Sequence, residues 1–280
     1  MKPVSTALVL AASLAMASSL AACAGSAPAG SASSNCSPAH KFSTIQSGKL
    51  TVSVYVTQPY TDNAPAGAPL GGVDGKIINK IAEAECLSIV PAYVDASTLI
   101  NSVATKRADV AIGGLYYTEE RNKVVTLSDT VYRDGMAILS KSGLASLEQL
   151  RGKSTGVIQG YLWNKELQDA LGSDHVKLYQ DATSLMADLD AGRVDAGILA
   201  GAEGAYRAKK SSTGLKSATF EPNSEVPTST KPGNVILAMT KGNDDMAKAF
   251  NENIQKLIAD GTMGEILKSE GIDPQVAGKG

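Results

Sequence analysis

Arg121 is the residue of this sequence best suited to hold a small ligand. Its planar guanidinium presents paired N–H donors that match the two oxygens of a carboxylate, and partial burial in a cleft strengthens such a bond. Glu119 and Glu120 precede it directly, so the residues alone favour a surface arginine paired with acidic neighbours at the start of a helix. No Ser/His/Asp or Cys/His set for nucleophilic catalysis is evident in the sequence.

Two of the three cysteines, Cys36 and Cys86, are candidates for a disulfide bond. The N-terminal residues predict export, and compartments outside the cytoplasmic membrane permit thiol oxidation. Two free thiols or a metal site are the alternatives. The metal site has little support, because the sequence holds only two histidines, His40 and His175, and no CxxC pair. We expect neither a metal nor a cofactor.

The first 22 residues have the features of a secretory signal peptide. A single Lys2 precedes a small, apolar run over residues 4–20, which is typical of an export signal rather than of a membrane span. The run ends in Leu-Ala-Ala before Cys23, and this resembles the lipobox at which bacterial lipoproteins are cleaved. We expect residues 1–22 to be removed and Cys23 to carry a diacylglyceryl anchor; simple secretion is the alternative.

Residues 23–40 are rich in Ala, Gly, Ser and Pro and nearly uncharged, which predicts a flexible tether. The whole chain of 280 residues is 43% hydrophobic with a net charge of −2, which allows one large domain or two lobes. Its basic residues are scattered and balanced by acidic ones, so no stripe exists for binding nucleic acid. We expect an extracytoplasmic protein, anchored by lipid to the outer face of the cell membrane or in the periplasm.

From residue 41 onward, strand and helix signals alternate as in α/β proteins with largely parallel sheets. Residues 50–56 alternate like a strand, and a loop rich in Pro and Gly separates them from a helix that begins near Asp74. A longer C-terminal helix stops at Asp260-Gly261. Later strands are predicted at residues 110–112, 136–139, 156–158, 196–199 and 235–239.

The order of these segments resembles the polar amino-acid family of periplasmic solute-binding proteins, which includes the glutamine, histidine and lysine/arginine/ornithine receptors. The resemblance covers residues 45–273. Eight motifs carry it: GKLTV (48–52), GVDG (72–75), KRADV (106–110), TEER (118–121), LSD (127–129), SLEQLRGK (146–153), AGRVDA (191–196) and ADGT (259–262).

The resemblance implies an α/β fold of the two-lobed periplasmic-binding-protein type, with two hinge strands and type II topology. Lobe 1 would comprise residues 41–134 plus 235–280, and lobe 2 would comprise residues 135–234 with the hinge strands. The ligand would lie in the cleft between the lobes, which closes by hinge motion.

In lobe 1, the resemblance assigns Arg121 to the ligand's α-carboxylate. Gly114 falls where the family offers a backbone group to the ligand, and its lack of a side chain allows close approach. Tyr116 replaces a Thr or Ser that bonds the same carboxylate. Tyr60 matches the aromatic residue of the family's Pro-Phe pair.

In lobe 2, Gly160 and Tyr161 stand where the family has a Gly-Thr pair at a helix N-terminus, a place that favours anions. Ala200 replaces the family's Asp that neutralises the ligand's α-ammonium. Glu203 is the alternative partner, or else a solvated side chain. In lobe 1, Ala96 stands near the position where an aromatic residue or Leu commonly covers the ligand.

These departures suggest a carboxylate ligand whose nitrogen is substituted, methylated or absent. Aromatic faces can hold a methylated ammonium or a guanidinium without a carboxylate. The sequence places five aromatic residues near the predicted cleft: Tyr60, Tyr116, Tyr117, Tyr161 and Trp163. The alternative is that half of these rings belong to the core or the rim.

The function implied is that of a monomeric receptor of an ABC importer, which delivers an amino-acid-like solute to permease and ATPase subunits. A periplasmic enzyme like cyclohexadienyl dehydratase, with Glu203 as the acid, and a ligand sensor are alternatives on the same scaffold. No second titratable group forms an evident dyad with Glu203, and a lipid tether suits a receptor beside a permease. We therefore expect no enzymatic activity.

Overall fold

The computed structural model describes residues 36–65 and 67–278. The predicted signal peptide and the predicted lipidation site Cys23 lie outside this range. The strands are β1 (Lys49–Val54), β2 (Ser88–Tyr93), β3 (Val110–Ile112), β4 (Thr126–Leu127), β5 (Tyr132–Asp134), β6 (Met136–Ser140), β7 (Thr155–Ile158), β8 (Val176–Tyr179), β9 (Ala196–Ala200), β10 (Lys216–Thr219), β11 (Gly233–Val235) and β12 (Ala238–Met239). The helices are α1 (Gly72–Ala84), α2 (Leu99–Ala104), α3 (Glu119–Val124), α4 (Leu147–Leu150), α5 (Asn164–Leu171), α6 (Ala182–Asp190), α7 (Gly201–Lys210), α8 (Asp244–Ala259) and α9 (Thr262–Ser269).

Two five-stranded sheets form the centres of two lobes. The first has the order β2-β1-β3-β12-β4, in which β1 runs parallel to both of its neighbours. The second has the order β10-β6-β9-β7-β8, in which β7 runs parallel to both of its neighbours. The α/β fold with two lobes that the sequence predicts is therefore confirmed.

Strands β5 and β11 form the hinge between the lobes. They pair antiparallel, with Val235 opposite Tyr132 and Gly233 opposite Asp134. The first strand leads the chain into the second sheet, and the other leads it back to β12 in the first sheet. The single strand predicted over residues 235–239 is thus split, because its first residue ends the hinge and its last two join the first sheet.

The core of lobe 1 follows from the apolar pattern of its elements. Strand β1 is buried from its second residue to its last, as expected for a central parallel strand covered on both faces. In α1, the predicted stripe of Ile77, Ile78 and Ile81 is fully buried against the sheet. The helix begins at Gly72, two residues before the predicted start.

The N-terminal residues of the described range are attached to lobe 1. Cys36 forms the predicted disulfide with Cys86, just after α1, with 5.8 Å between their Cα atoms. His40 Nδ1 lies 2.6 Å from a carboxylate oxygen of buried Glu85, and its Nε2 lies 2.8 Å from Glu252 in α8. These bonds raise the pKa of His40. The last five residues of the predicted tether, 36–40, are therefore bound to the lobe.

Two further properties concern the described residues only. Within 36–65 and 67–278, no helix is long and apolar enough to cross a membrane. The same ranges contain no group of three or more His, Cys, Asp or Glu side chains arranged to hold a metal ion.

Asp134, the last residue of hinge strand β5, connects the two lobes. Its partly buried carboxylate accepts hydrogen bonds from the Gly135 N–H at 2.9 Å, from the Ala202 N–H at 3.3 Å and from the Tyr60 hydroxyl. The Glu203 N–H donates to the Tyr60 oxygen at 3.3 Å. Lobe 1, the hinge and the start of α7 in lobe 2 therefore share one hydrogen-bonded group, and burial raises the pKa of Asp134 to about 6.

The raised pKa predicts how Asp134 changes stability with pH. An aspartate in the unfolded chain titrates near 3.8, whereas burial raises the pKa of Asp134 in the folded protein to about 6. Between these values the folded state binds the extra proton, so the contribution of Asp134 to stability falls as the pH rises from about 4 to about 6. The difference of roughly two pH units corresponds to roughly 3 kcal/mol.

Thermal unfolding of wild type and Asp134→Asn at pH 4 and pH 7 measures this effect. The substitution removes the titrating group. The melting temperature of the variant minus that of wild type should therefore be roughly 6–12 °C larger at pH 7 than at pH 4. Asp169→Asn, at an exposed site paired with Lys165, is the control and should show little such change. Parallel pH profiles for wild type and Asp134→Asn would contradict the prediction.

Candidate functional site

A cavity lies between the two lobes and is lined by both. Its volume is about 40 Å³, so the cavity is narrow in this arrangement of the lobes. The lining residues are Tyr55, Tyr60, Ala96, Leu99, Gly113, Gly114, Leu115, Tyr116 and Arg121 from lobe 1, and Gly160, Tyr161, Leu162, Trp163 and Ala200 from lobe 2.

Six of the seven residues predicted to bind ligand line this cavity, and Glu203 does not. The six are Arg121, Gly114, Tyr116, Tyr60, Gly160 and Tyr161. Ala96 and Ala200, two further positions at which the sequence departs from the family pattern, also line it. Their contacts with a ligand remain predictions.

Arg121 lies in the first turns of α3, which Thr118 caps by accepting a hydrogen bond from the Arg121 N–H at 3.1 Å. Its guanidinium Nη1 donates to the Tyr116 carbonyl oxygen at 2.6 Å. Among the described residues, no carboxylate lies within ion-pair distance of Arg121, and Glu119 instead accepts a bond from Tyr117. Burial lowers the pKa of the guanidinium, which nevertheless stays charged.

Asp74 in α1 holds the loop that follows β3 in place. One of its oxygens accepts the Gly113 N–H at 3.0 Å and the Gly114 N–H at 2.8 Å, and the other accepts the Tyr132 hydroxyl at 2.7 Å. The Gly114 N–H is therefore not free for a ligand. If Gly114 offers a backbone group to the ligand, as predicted, that group is its carbonyl oxygen. A Cβ at Gly114 would lie 2.9 Å from the Tyr60 ring, so glycine is needed for this close approach.

Two of the lining tyrosines, Tyr60 and Tyr116, use their hydroxyl groups in hydrogen bonds at the hinge. The Tyr116 hydroxyl donates to the Gly135 carbonyl at the hinge at 2.8 Å, and the Tyr60 hydroxyl donates to Asp134. Tyr116 replaces a family residue that bonds the ligand carboxylate, but its hydroxyl is already engaged. It therefore contributes its aromatic ring and its carbonyl group to the site.

Tyr117 does not belong to the aromatic lining that the sequence predicts. Its side chain is 38% exposed, and its hydroxyl donates to Glu119 at 2.8 Å. The cavity has instead a different fifth aromatic residue, Tyr55, which directly follows β1 and whose ring lies edge-on to Tyr161 with centroids 6.3 Å apart. The alternation of β1 predicts a strand here, but it cannot tell which side chain at its end reaches the cleft.

Glu203 is fully buried behind Tyr161. One carboxylate oxygen accepts the Tyr161 hydroxyl at 2.7 Å, and the other accepts the Arg207 Nε–H at 2.9 Å. The pair with Arg207, one helical turn along α7, compensates its charge. The alternative of a solvated Glu203 is therefore wrong, and the carboxylate supports the cavity wall from behind.

The closed arrangement requires glycine at position 160. Its φ is +90°, and a Cβ there would lie 2.8 Å from the backbone of Ser97 in lobe 1. The two lobes thus approach each other within van der Waals contact at one side of the cavity. At another side, the ring of Trp163 packs against Tyr116 with centroids 6.0 Å apart.

The cavity carries a net positive charge from its lining. Arg121 is the one charged residue among the described residues that line it. Three carboxylates lie behind the lining, and each accepts hydrogen bonds from lining residues: Asp74, Asp134 and Glu203. Such a site is suited to bind an anion.

The family described as bacterial extracellular solute-binding proteins, family 3, matches residues 50–269 of the chain. The L-cystine-binding protein of Escherichia coli is 29% identical over 169 residues, which span 59% of this chain and 60% of that protein. The histidine-binding periplasmic protein of Escherichia coli is 27% identical over 186 residues, which span 61% of this chain and 67% of that protein.

Solved structures show the same fold. An ancestral arginine-binding protein bound to glutamine has a TM-score of 0.71 at 28% identity, over 80% of this chain and 98% of that chain. The arginine-, lysine-, histidine-binding protein ArtJ of Geobacillus stearothermophilus has a TM-score of 0.71 over 81% of this chain and 97% of its own. Its identity is 22%, so this similarity shows the fold alone.

The resemblance predicted from eight short motifs and the expectation of a protein without enzymatic activity are both confirmed. The family match extends from β1 into α9 and so includes both sheets and the hinge. The chain therefore belongs to the bacterial extracellular solute-binding proteins, family 3, as a two-lobed binding protein and not an enzyme.

Proposed function

We propose that the chain is the receptor of an ABC importer, which captures a small carboxylate outside the cytoplasmic membrane and delivers it to permease and ATPase subunits. The observation that carries the proposal is Arg121, a partly buried cation without a carboxylate partner among the described residues, in a cavity between two lobes. Relatives named for cystine and histidine support an amino-acid-like ligand. A lipid on Cys23 would hold this monomeric receptor beside its permease.

The ligand we propose is a carboxylate whose nitrogen is substituted, methylated or absent. A free ammonium buried in this cavity would need a counter-charge, because an unpaired buried charge is costly. Ala200 supplies none, and Glu203 is already paired with Arg207. The aromatic lining instead offers ring faces, which suit either a methylated ammonium or an apolar group.

A thermal-shift screen of the full chain, purified in detergent, tests this function. The panel contains standard amino acids, glycine betaine, N-methylated amino acids and simple organic acids. A ligand that binds only the folded state raises the melting temperature by mass action. We expect a shift with substituted or amine-free carboxylates. Stronger binding of a standard amino acid would overturn the ligand class, and no shift across the panel would contradict a carboxylate receptor.

Arg121→Lys should weaken binding of the carboxylate that gives the largest shift. Lysine keeps the charge but loses the planar, paired donors, so we expect a loss of affinity of about 10- to 100-fold by calorimetry. Arg107→Lys is the matched control, because Arg107 is exposed in lobe 1 and does not line the cavity. Equal affinities of Arg121→Lys and wild type would contradict the assignment.

Glu203→Gln separates a structural role of this carboxylate from a role in ligand binding. The substitution leaves Arg207 without its partner next to a buried amide, so we expect a loss of stability of about 1–3 kcal/mol. Affinity for the carboxylate should change less than threefold, because Glu203 does not line the cavity. Chemical denaturation and calorimetry on the same sample give both values. Weaker binding at unchanged stability would instead place Glu203 on the ligand.

A further inference from the structure

Trp163 carries a buried hydrogen-bond donor that has no acceptor within the described part of the chain. Its side chain is 2% exposed and lines the cavity, and its Nε1–H finds no partner. Buried polar groups are nearly always paired in folded proteins, so an unpaired one at a binding cavity points to a group that is supplied from outside. The indole nitrogen can only donate, so the missing partner is an acceptor.

The neighbours of Trp163 fix its ring but provide no acceptor. Tyr161 packs edge-on against it with centroids 5.2 Å apart, and Tyr116 packs at an angle of 61° with centroids 6.0 Å apart. The hydroxyl of Tyr161 points to Glu203, and that of Tyr116 points to Gly135. The ring is therefore held on two sides.

Trp163 belongs to the second lobe, so its N–H donor approaches the cavity from that lobe. It lies between β7 and α5, directly before the first residue of the helix. Arg121, which lines the same cavity, belongs to the first lobe and uses one N–H on the Tyr116 carbonyl. Its remaining N–H groups have no carboxylate partner among the described residues. Two donors from opposite lobes thus border one small cavity.

We infer that the ligand's carboxylate is held between the Arg121 guanidinium of lobe 1 and the Trp163 Nε1–H of lobe 2. This inference rests on the proposed function and adds a specificity-determining residue to it. A carboxylate has two oxygens that accept several hydrogen bonds, so it satisfies both donors at once. The bridge favours the closed form, because the ligand contacts both donors only when the lobes are together.

Trp163 also rejects ligands that present the wrong group at this position. An ammonium or an amide N–H opposite the indole N–H would leave two donors facing each other without an acceptor. A site built around a buried polar group discriminates strongly against a ligand that leaves the group unpaired. The pair of Arg121 and Trp163 therefore selects for an oxyanion.

Trp163→Phe tests the inference by calorimetry, with glycine betaine and propionate as probes. The variant keeps an aromatic ring and removes the N–H. We expect a loss of affinity of about 10- to 100-fold for the probe that wild type binds, as for a hydrogen bond to a charged group. Tyr206→Phe removes a polar group from a ring outside the cavity and should bind like wild type. Wild-type affinity in Trp163→Phe would overturn the inference.

A second measurement on the wild-type chain does not depend on the folding of a variant. Trp163 is the only tryptophan of the sequence, so an ¹⁵N-labelled sample gives a single indole N–H resonance. Saturation with the bound probe should move its proton downfield and slow its exchange with water. An unchanged resonance at saturation would overturn the inference while the proposed function stands. If neither probe binds wild type, the inference is overturned as well as the proposed ligand class.

Discussion

A guanidinium held between two lobes without a carboxylate partner is the constraint on which the rest of this site depends. Removing a charge from water is costly unless hydrogen bonds or an opposite charge replace the water. Arg121 donates one such bond, to the Tyr116 carbonyl oxygen, and burial lowers its pKa. In the proposed receptor, the carboxylate of the ligand offsets the remaining cost. Ligand capture would then favour contact between the lobes, because residues of both lobes line the cavity.

None of the three carboxylates behind the cavity wall pairs with Arg121, because each is bonded to other groups. Asp74 holds the two glycine N–H groups of the loop beneath the ligand position, and burial raises its pKa. Asp134 joins the hinge to Tyr60 and to the start of α7. Glu203 is bonded to Tyr161 and paired with Arg207. Asp134 and Glu203 thus orient the aromatic residues Tyr60 and Tyr161 of the lining, and none of the three carboxylates forms an ion pair with Arg121.

The sequence predicts the fold well because periodicity and motif order depend on local residues. The apolar stripe of α1 and the end of α8 before Gly261 both occur as predicted. The Cys36–Cys86 pair forms as well, although spacing alone leaves free thiols open. The strand predicted over residues 235–239 was wrong in its extent, because an apolar run does not show that the chain passes there from the hinge into the first sheet.

The site was predictable in its residues but not in the directions of their polar atoms. Motif positions identify Arg121, Tyr60 and Tyr161 as cavity residues. They cannot show that the tyrosine hydroxyls bond to carboxylates behind the wall, since those contacts join residues far apart in sequence. The same limitation applied to Trp163, which the sequence groups with other aromatic residues. Trp163 is the only tryptophan of the sequence, but the sequence does not show that its N–H is unpaired, and this property distinguishes it from the other four aromatic residues of that group.

Two features of lobe 2 act in the same direction. Ala200 removes the carboxylate that would face an ammonium, and the pairing of Glu203 with Arg207 keeps a second carboxylate from taking its place. An acidic residue at position 200 would place a negative charge at this wall, and it would repel the carboxylate that we propose for Arg121. Together with an indole N–H at Trp163, they turn the wall from an acceptor of ammonium groups into a donor. These features agree with the proposed receptor for a carboxylate that carries no free ammonium group.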